Sequence, residues 1–271
     1  MLSSPHLSQV ERSGFFPIDS VIHLFVGGSE LHGAKVGATD DLDLYGLFIA
    51  SPEDVLGLNP RQHFVWSTAS DDRRNGPDDV DLTLYSLGKW AAMAAKGNAT
   101  ALHFLFADAT ANSSPVWSSI KNNADLFLSK RSAMQFLGFA DNQLKRITGE
   151  KGKGSKGTRP EYECAHGYDT KAAMHTLRLL FECAELMKQG TITLPRPEKD
   201  LLIEVRTGSW TLERFLREAE QAKLDAESAA RTSRLPDAVD EDAISSLIAH
   251  TYLRYWQQTK PSPELPSAKL G

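Results

Sequence analysis

The sequence predicts an α/β (α+β) chain, with a small mixed sheet near the N-terminus followed by an all-helical C-terminal part. Three observations predict it. Short apolar runs at 20–28 and 43–50 and an alternating acidic and apolar run at 78–85, "DDVDLTLY", read as strands of one sheet. A glycine-rich turn, Gly27-Gly28, sits where the first of these must end. From about Ser113 onward the apolar spacing is helical.

Taken in order, "VIHLFVGG" is a buried strand running into the turn, a common place for backbone N–H groups to meet phosphate oxygens. "SLGKWAAMAAKGNATALHFLF" has helical spacing interrupted at Gly97 and Asn98, which predicts two helices with a turn between them. The helical run "SKRSAMQFLGFADNQLKRI" gives way to a Gly/Lys-rich stretch without apolar periodicity, expected to be a mobile loop over 149–165. "YDTKAAMHTLRLLFECAELMKQG" is an amphipathic helix with Asp169 or Thr170 at its start and Gly190 just past its end. Two more helices are expected near 210–230 and 240–257, and no internal repeat is visible. These elements divide the chain into an α/β domain, 1–128, and a helical domain, 129–271.

Composition narrows the function. With 30 Lys plus Arg against 35 Asp plus Glu, the net charge of −5 gives no global attraction to nucleic acid or anionic lipid, so any polyanion contact must be local. The opening "MLSSPHLSQVERSGFFP" lacks a charged n-region and a long apolar h-region, and no segment is a membrane-spanning apolar run. A cytoplasmic protein is expected. Cys164 and Cys183 have no C-x-x-C spacing and no second pair, so neither a zinc site nor a disulfide framework is expected. The tryptophans are scattered, as core residues would be.

The chemistry concentrates in "FVGGSELHGAKVGATDDLDLYGLF". A P-loop is excluded, because Gly28 and Gly33 are followed by Ala34 and Lys35 rather than Lys and Ser or Thr. An EF-hand beginning at Asp41 is excluded by Tyr45 at its fifth position and Pro52 at its twelfth. Asp41 and Asp43, two apart on a strand, project to one face while Leu42 and Leu44 face the other. Like charges held that close call for a cation, and hard oxygen ligands suit Mg²⁺. A third carboxylate lies on the later strand: Asp81 is preferred, and Asp79, two residues earlier on the same face, is the alternative. Taken alone, Asp41 and Asp43 fit a solvated turn equally well.

Gly28-Ser29, Asp41-Leu42-Asp43 and Asp81 resemble the G-[GS], D-h-D and third-acid pattern of the DNA polymerase β-like nucleotidyltransferase superfamily. "YSLGKWAAMAAKGNATALHFLF", "HGYDTKAAMHTLRLL" and "EVRTGSWTLE" are similar to its bacterial and phage branch associated with RNA repair. That branch usually has Arg where this chain has Tyr45, and Ser where it has Asp40. The resemblance implies a polymerase-β-like palm in which Gly28 and Ser29 hold nucleoside triphosphate phosphates. It also implies that Asp41, Asp43 and Asp81 are catalytic and bind two Mg²⁺ ions, with Mn²⁺ as a substitute. A nucleoside monophosphate would pass to a hydroxyl acceptor, with pyrophosphate leaving.

Lys171, His175 and Arg178 form one stripe at helical spacing. The resemblance implies that Lys171, and His175 with it, reach the nucleotide; a solvated helix face is the alternative account of the stripe. Lys151, Lys153, Lys156 and Arg159 concentrate positive charge in the glycine-rich loop, as either an electrostatic clamp for an RNA or tRNA acceptor or a soluble linker. An RNA 3′ end fits both this loop and the family association. A small-molecule or protein hydroxyl fits the catalytic acids equally well, and an idle nucleotide- or RNA-binding module is the alternative outside enzymes.

Overall fold

The structure is a computed structural model that describes residues 5–37, 41–69, 76, 78–108, 114–150 and 160–259. Its centre is a four-stranded sheet of β1 (Val21–Val26), β2 (Leu42–Phe48), β3 (His63–Ser67) and β4 (Val80–Ser86), ordered β1-β2-β4-β3. The central pair, β2 and β4, is parallel, and both outer pairs are antiparallel. Apolar composition makes β1 an almost wholly buried strand, while β4 alternates Val80, Leu82 and Leu84 inward with Asp81, Thr83 and Tyr85 half-exposed. The strands expected at 20–28, 43–50 and 78–85 are all present, and the helices expected near 210–230 and 240–257 are found at 212–232 and 241–259.

Twelve α-helices are found among the described residues. Short α1 (Leu7–Arg12), α2 (Gly28–Leu31) and α3 (Pro52–Leu56) punctuate the sheet. Then α4 (Leu87–Ala95) and α5 (Ala99–Phe106) follow β4, each capped by a polar side chain: Ser86 accepts from Lys89 N at 3.2 Å and Asn98 from Ala101 N at 3.0 Å. The turn between them needs Gly97, at φ +75° with a would-be Cβ 2.6 Å from Ser132 Cα.

After α6 (Pro115–Lys121) the helical part comprises α7 (Arg131–Ile147), α8 (Pro160–His166), α9 (Thr170–Gln189), α10 (Lys199–Arg206), α11 (Leu212–Thr232) and α12 (Glu241–Thr259). Asp169 caps α9 by accepting from Ala172 N at 2.8 Å, and left-handed Gly190 ends it. The loop expected over 149–165 is corrected over 160–165, and its residues 151–159 lie outside the described residues. Pro160 opens α8 with Glu161 and Glu163 in the first turn, a sound helix start that reads as a breaker in sequence.

Apolar packing runs across residue 128. The core around the sheet takes in Leu179, Cys183, Leu186 and Met187 of α9, and a second core joins α7, α9, α10 and α11. The last helix returns to the sheet end of the molecule, where Tyr252 accepts from Gly88 N at 3.1 Å and Trp256 donates to Ala50 O at 2.9 Å. Both cysteines are free thiols, Cys164 exposed and Cys183 buried. Trp90 and Trp117 are core residues, with His23 stacked on Trp117. Among the described residues no helix is long and apolar enough to cross a membrane.

Candidate active site

The site is built where β1 ends against β2. Gly27 N donates to Asp43 O at 2.8 Å, which lays the glycine turn over the acidic strand. A Cβ on Gly28 would lie 1.9 Å from Asp43 Oδ2, and its φ is +57°; a Cβ on Gly27 would lie 2.3 Å from the Tyr45 ring. Only glycine gives the backbone so close an approach to that carboxylate. Ser29 follows as the second residue of α2.

The parallel register pairs Asp43 with Asp81, so the two carboxylates stand side by side on neighbouring strands. Asp41, just before β2, completes the group: one carboxylate oxygen from each of Asp41, Asp43 and Asp81 lies within 4.8 Å of the others, and all three residues are half-exposed. Three hard oxygen donors, two on the sheet and one just before β2, open to solvent, fit Mg²⁺ or Mn²⁺. Asp79 is differently engaged, because its oxygens accept from Thr68 Oγ1 at 3.0 Å and Gly76 N at 2.7 Å, closing the turn before β4.

A cleft leads away from the glycine turn. A cavity of about 150 Å³ is lined by Phe25, Gly27, Gly28, Tyr45, His175 and Arg178, among others. It shares Thr100, His103, His175 and Arg178 with a neighbouring cavity of about 210 Å³ that extends to Gln143 and Arg146. Burial, then the charges of Asp43, Tyr85 and Asp81, push the Tyr45 phenol up to about 12, so it stays protonated beside the acids.

Of the residues expected from sequence, Gly28, Asp41, Asp43 and Asp81 are brought together, and His175 and Arg178 reach the cleft from α9. Lys171 is half-buried one turn earlier on α9 and lines neither cavity. Lys151, Lys153, Lys156 and Arg159 lie outside the described residues.

Sequence reasoning missed a buried cluster behind the cleft. Glu182 accepts from Arg178 Nη1 at 3.1 Å and lies 3.1 Å from both His32 Nδ1 and His103 Nε2. Arg178 Nη1 is also 2.6 Å from His32 Nε2. Burial, then the charge of Arg178, lowers the His32 pKa to about 3, so its ring is neutral. Burial pushes Glu182 up, but Arg178, His103 and His32 outweigh it and hold the carboxyl well below its usual range. The i, i+4 spacing of Arg178 and Glu182 was the one readable signal.

A glycine turn over paired strand carboxylates, with a third acid on the adjacent parallel strand, defines a nucleotidyltransferase-like palm. This chain belongs to RlaP, the RNA repair pathway DNA polymerase beta family, whose model matches residues 4–263. An uncharacterized 38.9 kDa protein from the nrdC-mobD intergenic region of Enterobacteria phage T4 is 27% identical over 136 residues. That match spans 49% of this chain and 38% of the phage protein. A nucleotidyltransferase-like protein from Exiguobacterium sibiricum aligns over 93% of this chain and 78% of its own, with 14% identity and a TM-score of 0.29.

Proposed function

We propose that this protein transfers a nucleoside monophosphate from a nucleoside triphosphate to the 3′ hydroxyl of an RNA. The observation that carries the proposal is the convergence of Asp41, Asp43 and Asp81 beneath the Gly27-Gly28 turn. Divalent ions held by these three carboxylates would neutralise charge at the reacting phosphate and lower the pKa of the acceptor hydroxyl. Gly28 and Ser29 orient the β and γ phosphates through their backbone N–H groups and the Ser29 hydroxyl. Residues 1–128 supply this machinery, and residues 129–271 supply the far wall, from which His175 and Arg178 meet the anionic tail, with Lys171 one turn earlier on α9 extending the cationic stripe beyond the two cavities.

The acceptor oxygen attacks the α-phosphorus in line, the bond to the β-phosphate oxygen breaks, and pyrophosphate leaves. Positioning and charge compensation provide most of the rate. The family's RNA repair context and the positive charges at Lys151, Lys153, Lys156 and Arg159 favour RNA, tRNA included, over a small acceptor.

The test incubates the protein with each α-labelled nucleoside triphosphate, Mg²⁺ or Mn²⁺, and RNA bearing either a free or a periodate-oxidised 3′ end. Label on the free 3′ end alone is expected. Label on the protein or on a small molecule would move the acceptor elsewhere, and absence of both label transfer and pyrophosphate would leave only a binding module.

A further inference from the structure

The buried cluster of His32, His103, Arg178 and Glu182 has no part in the acid chemistry, yet it sits directly behind the cleft. Its composition invites comparison with a metal site, since His32, His103 and Glu182 each offer a ligand atom within 4.8 Å of the others. The guanidinium argues otherwise. With Nη1 3.1 Å from Glu182 and 2.6 Å from His32, Arg178 is already the cation of this site, and a second cation would share one carboxylate with it away from water.

The contacts divide the guanidinium into two edges. Nη1 is tethered by Glu182 and His32. On the other edge Nη2 makes a long contact, 3.5 Å to His175 Nδ1, and buried Nε makes no hydrogen bond among the described residues. A buried donor left unsatisfied is costly, and a planar guanidinium fork matches the oxygens of a phosphate. Arg178 and His175 both line the cavity that begins at Gly27 and Gly28. The tethers come from different elements: His32 follows α2, His103 lies on α5, and Glu182 is one turn beyond Arg178 on α9.

We propose that Glu182 is a positioning residue which, with His32, fixes Arg178 by its Nη1 edge so that the Nε and Nη2 edge receives a phosphate of the bound nucleotide. This rests on the nucleotide-transfer reading above. His103 holds the second Glu182 oxygen and keeps the carboxylate from rotating away. The cluster thereby joins the glycine turn to α9, and nucleotide affinity depends on a side chain that touches no nucleotide.

The experiment measures ATP and GTP binding with Mg²⁺, and KM and kcat for transfer, in the wild type, Arg178→Ala, Glu182→Gln and the double variant. Each single variant should weaken nucleotide binding roughly tenfold to a hundredfold, the loss of one charge-assisted phosphate contact. The double variant should bind no more weakly than Arg178→Ala, because Glu182 acts through Arg178. KM should rise more than kcat falls. Additive losses, or Glu182→Gln binding nucleotide as the wild type does, would overturn the proposal. If Glu182→Gln does not fold, His32→Asn removes one tether without changing the buried charge and should weaken binding severalfold; unchanged binding would overturn the proposal equally. One zinc per chain, lost in His103→Ala, would make the cluster a metal site instead. Wild-type protein that binds no nucleotide would remove both this proposal and the reading beneath it, whereas wild-type binding with an inert Glu182 would remove this one alone.

Discussion

Asp41, Asp43 and Asp81 form one cluster of titratable groups, and His32, His103 and Glu182 form another of the same size, each within 4.8 Å. The first is half-exposed and contains three like charges. The second is buried and has Arg178 built into it as counter-ion. Similar proximity therefore serves opposite ends: an open group of like charges is prepared for cations from solution, while a closed, balanced group fixes one element against another.

The largest expected effect lies in the closed cluster. Glu182→Ala strips the counter-ion from buried Arg178 and should lower unfolding free energy by about 3–5 kcal/mol, measured by urea denaturation. A change within error would mean that the cluster is solvated and the contrast false. Acid should attack the same place. His32 has a folded pKa of about 3 against 6.5 for the free group, so the unfolded chain binds more protons between those values, and stability falls as pH drops below about 6.5. His23, also lowered to about 3 by burial and then Lys121, adds to that fall, as does Glu182 below its ordinary carboxyl range. Stability that held level from pH 7 to pH 4 would contradict both assignments.

The open cluster should respond in reverse. Asp41→Asn combined with Asp43→Asn should reduce transfer by on the order of 10²–10³-fold or more while leaving the melting temperature equal or higher, since repulsion is relieved. Retained activity with a lower melting temperature would make these residues structural.

The difference between the clusters also marks what could be read from sequence. The open one is local: Asp43 on β2 and Asp41 just before it are two residues apart, and the glycine turn precedes them by about a dozen residues. Taken alone, Asp41 and Asp43 also fit a solvated turn, and the third member stays open because Asp79 and Asp81 share one periodic face until the turn at Gly76 is known. The closed cluster draws on residues 32, 103 and 182, which no spacing rule connects. β3 escaped notice for a related reason. As a short edge strand that exposes His63, Val65 and Ser67, it carries Phe64, Val65 and Trp66 in a row rather than alternating with polar residues, and it is defined by pairing with β4. α10 is eight residues long and is placed by packing against α9, with Arg206 donating to Ala34 O at 2.7 Å.

A smaller effect separates two lysines of α9. Lys171→Ala should weaken nucleotide use about tenfold to a hundredfold if its ammonium meets the polyphosphate. Lys188→Ala should leave nucleotide use unchanged, because Lys188 is engaged with Asp225 at 2.7 Å near the far end of the helix. Equal, small effects would confine the nucleotide-facing stripe of α9 to His175 and Arg178.

The smallest effect tests the boundary between structure and chemistry within three residues of chain. Asp79 immediately precedes β4 and Asp81 is its second residue, but the first is 5% exposed with its oxygens committed to Thr68 and Gly76, and the second stands in register with Asp43. Thr68 Oγ1 in turn accepts from Val80 N at 2.8 Å, so Asp79 anchors the start of β4 through two links. Removing its carboxylate should therefore loosen the strand's first residue without changing the charge group beneath the glycine turn. Asp79→Ala is expected to cost about 1–2 kcal/mol of stability, the net worth of these hydrogen bonds, and to keep transfer activity at temperatures where the variant is folded. Asp81→Asn, two residues on, is expected to keep the stability and lose the activity. If Asp79→Ala abolished transfer in a protein with an undiminished melting temperature, the anchoring role would be wrong and the third acid would have to be reassigned to Asp79.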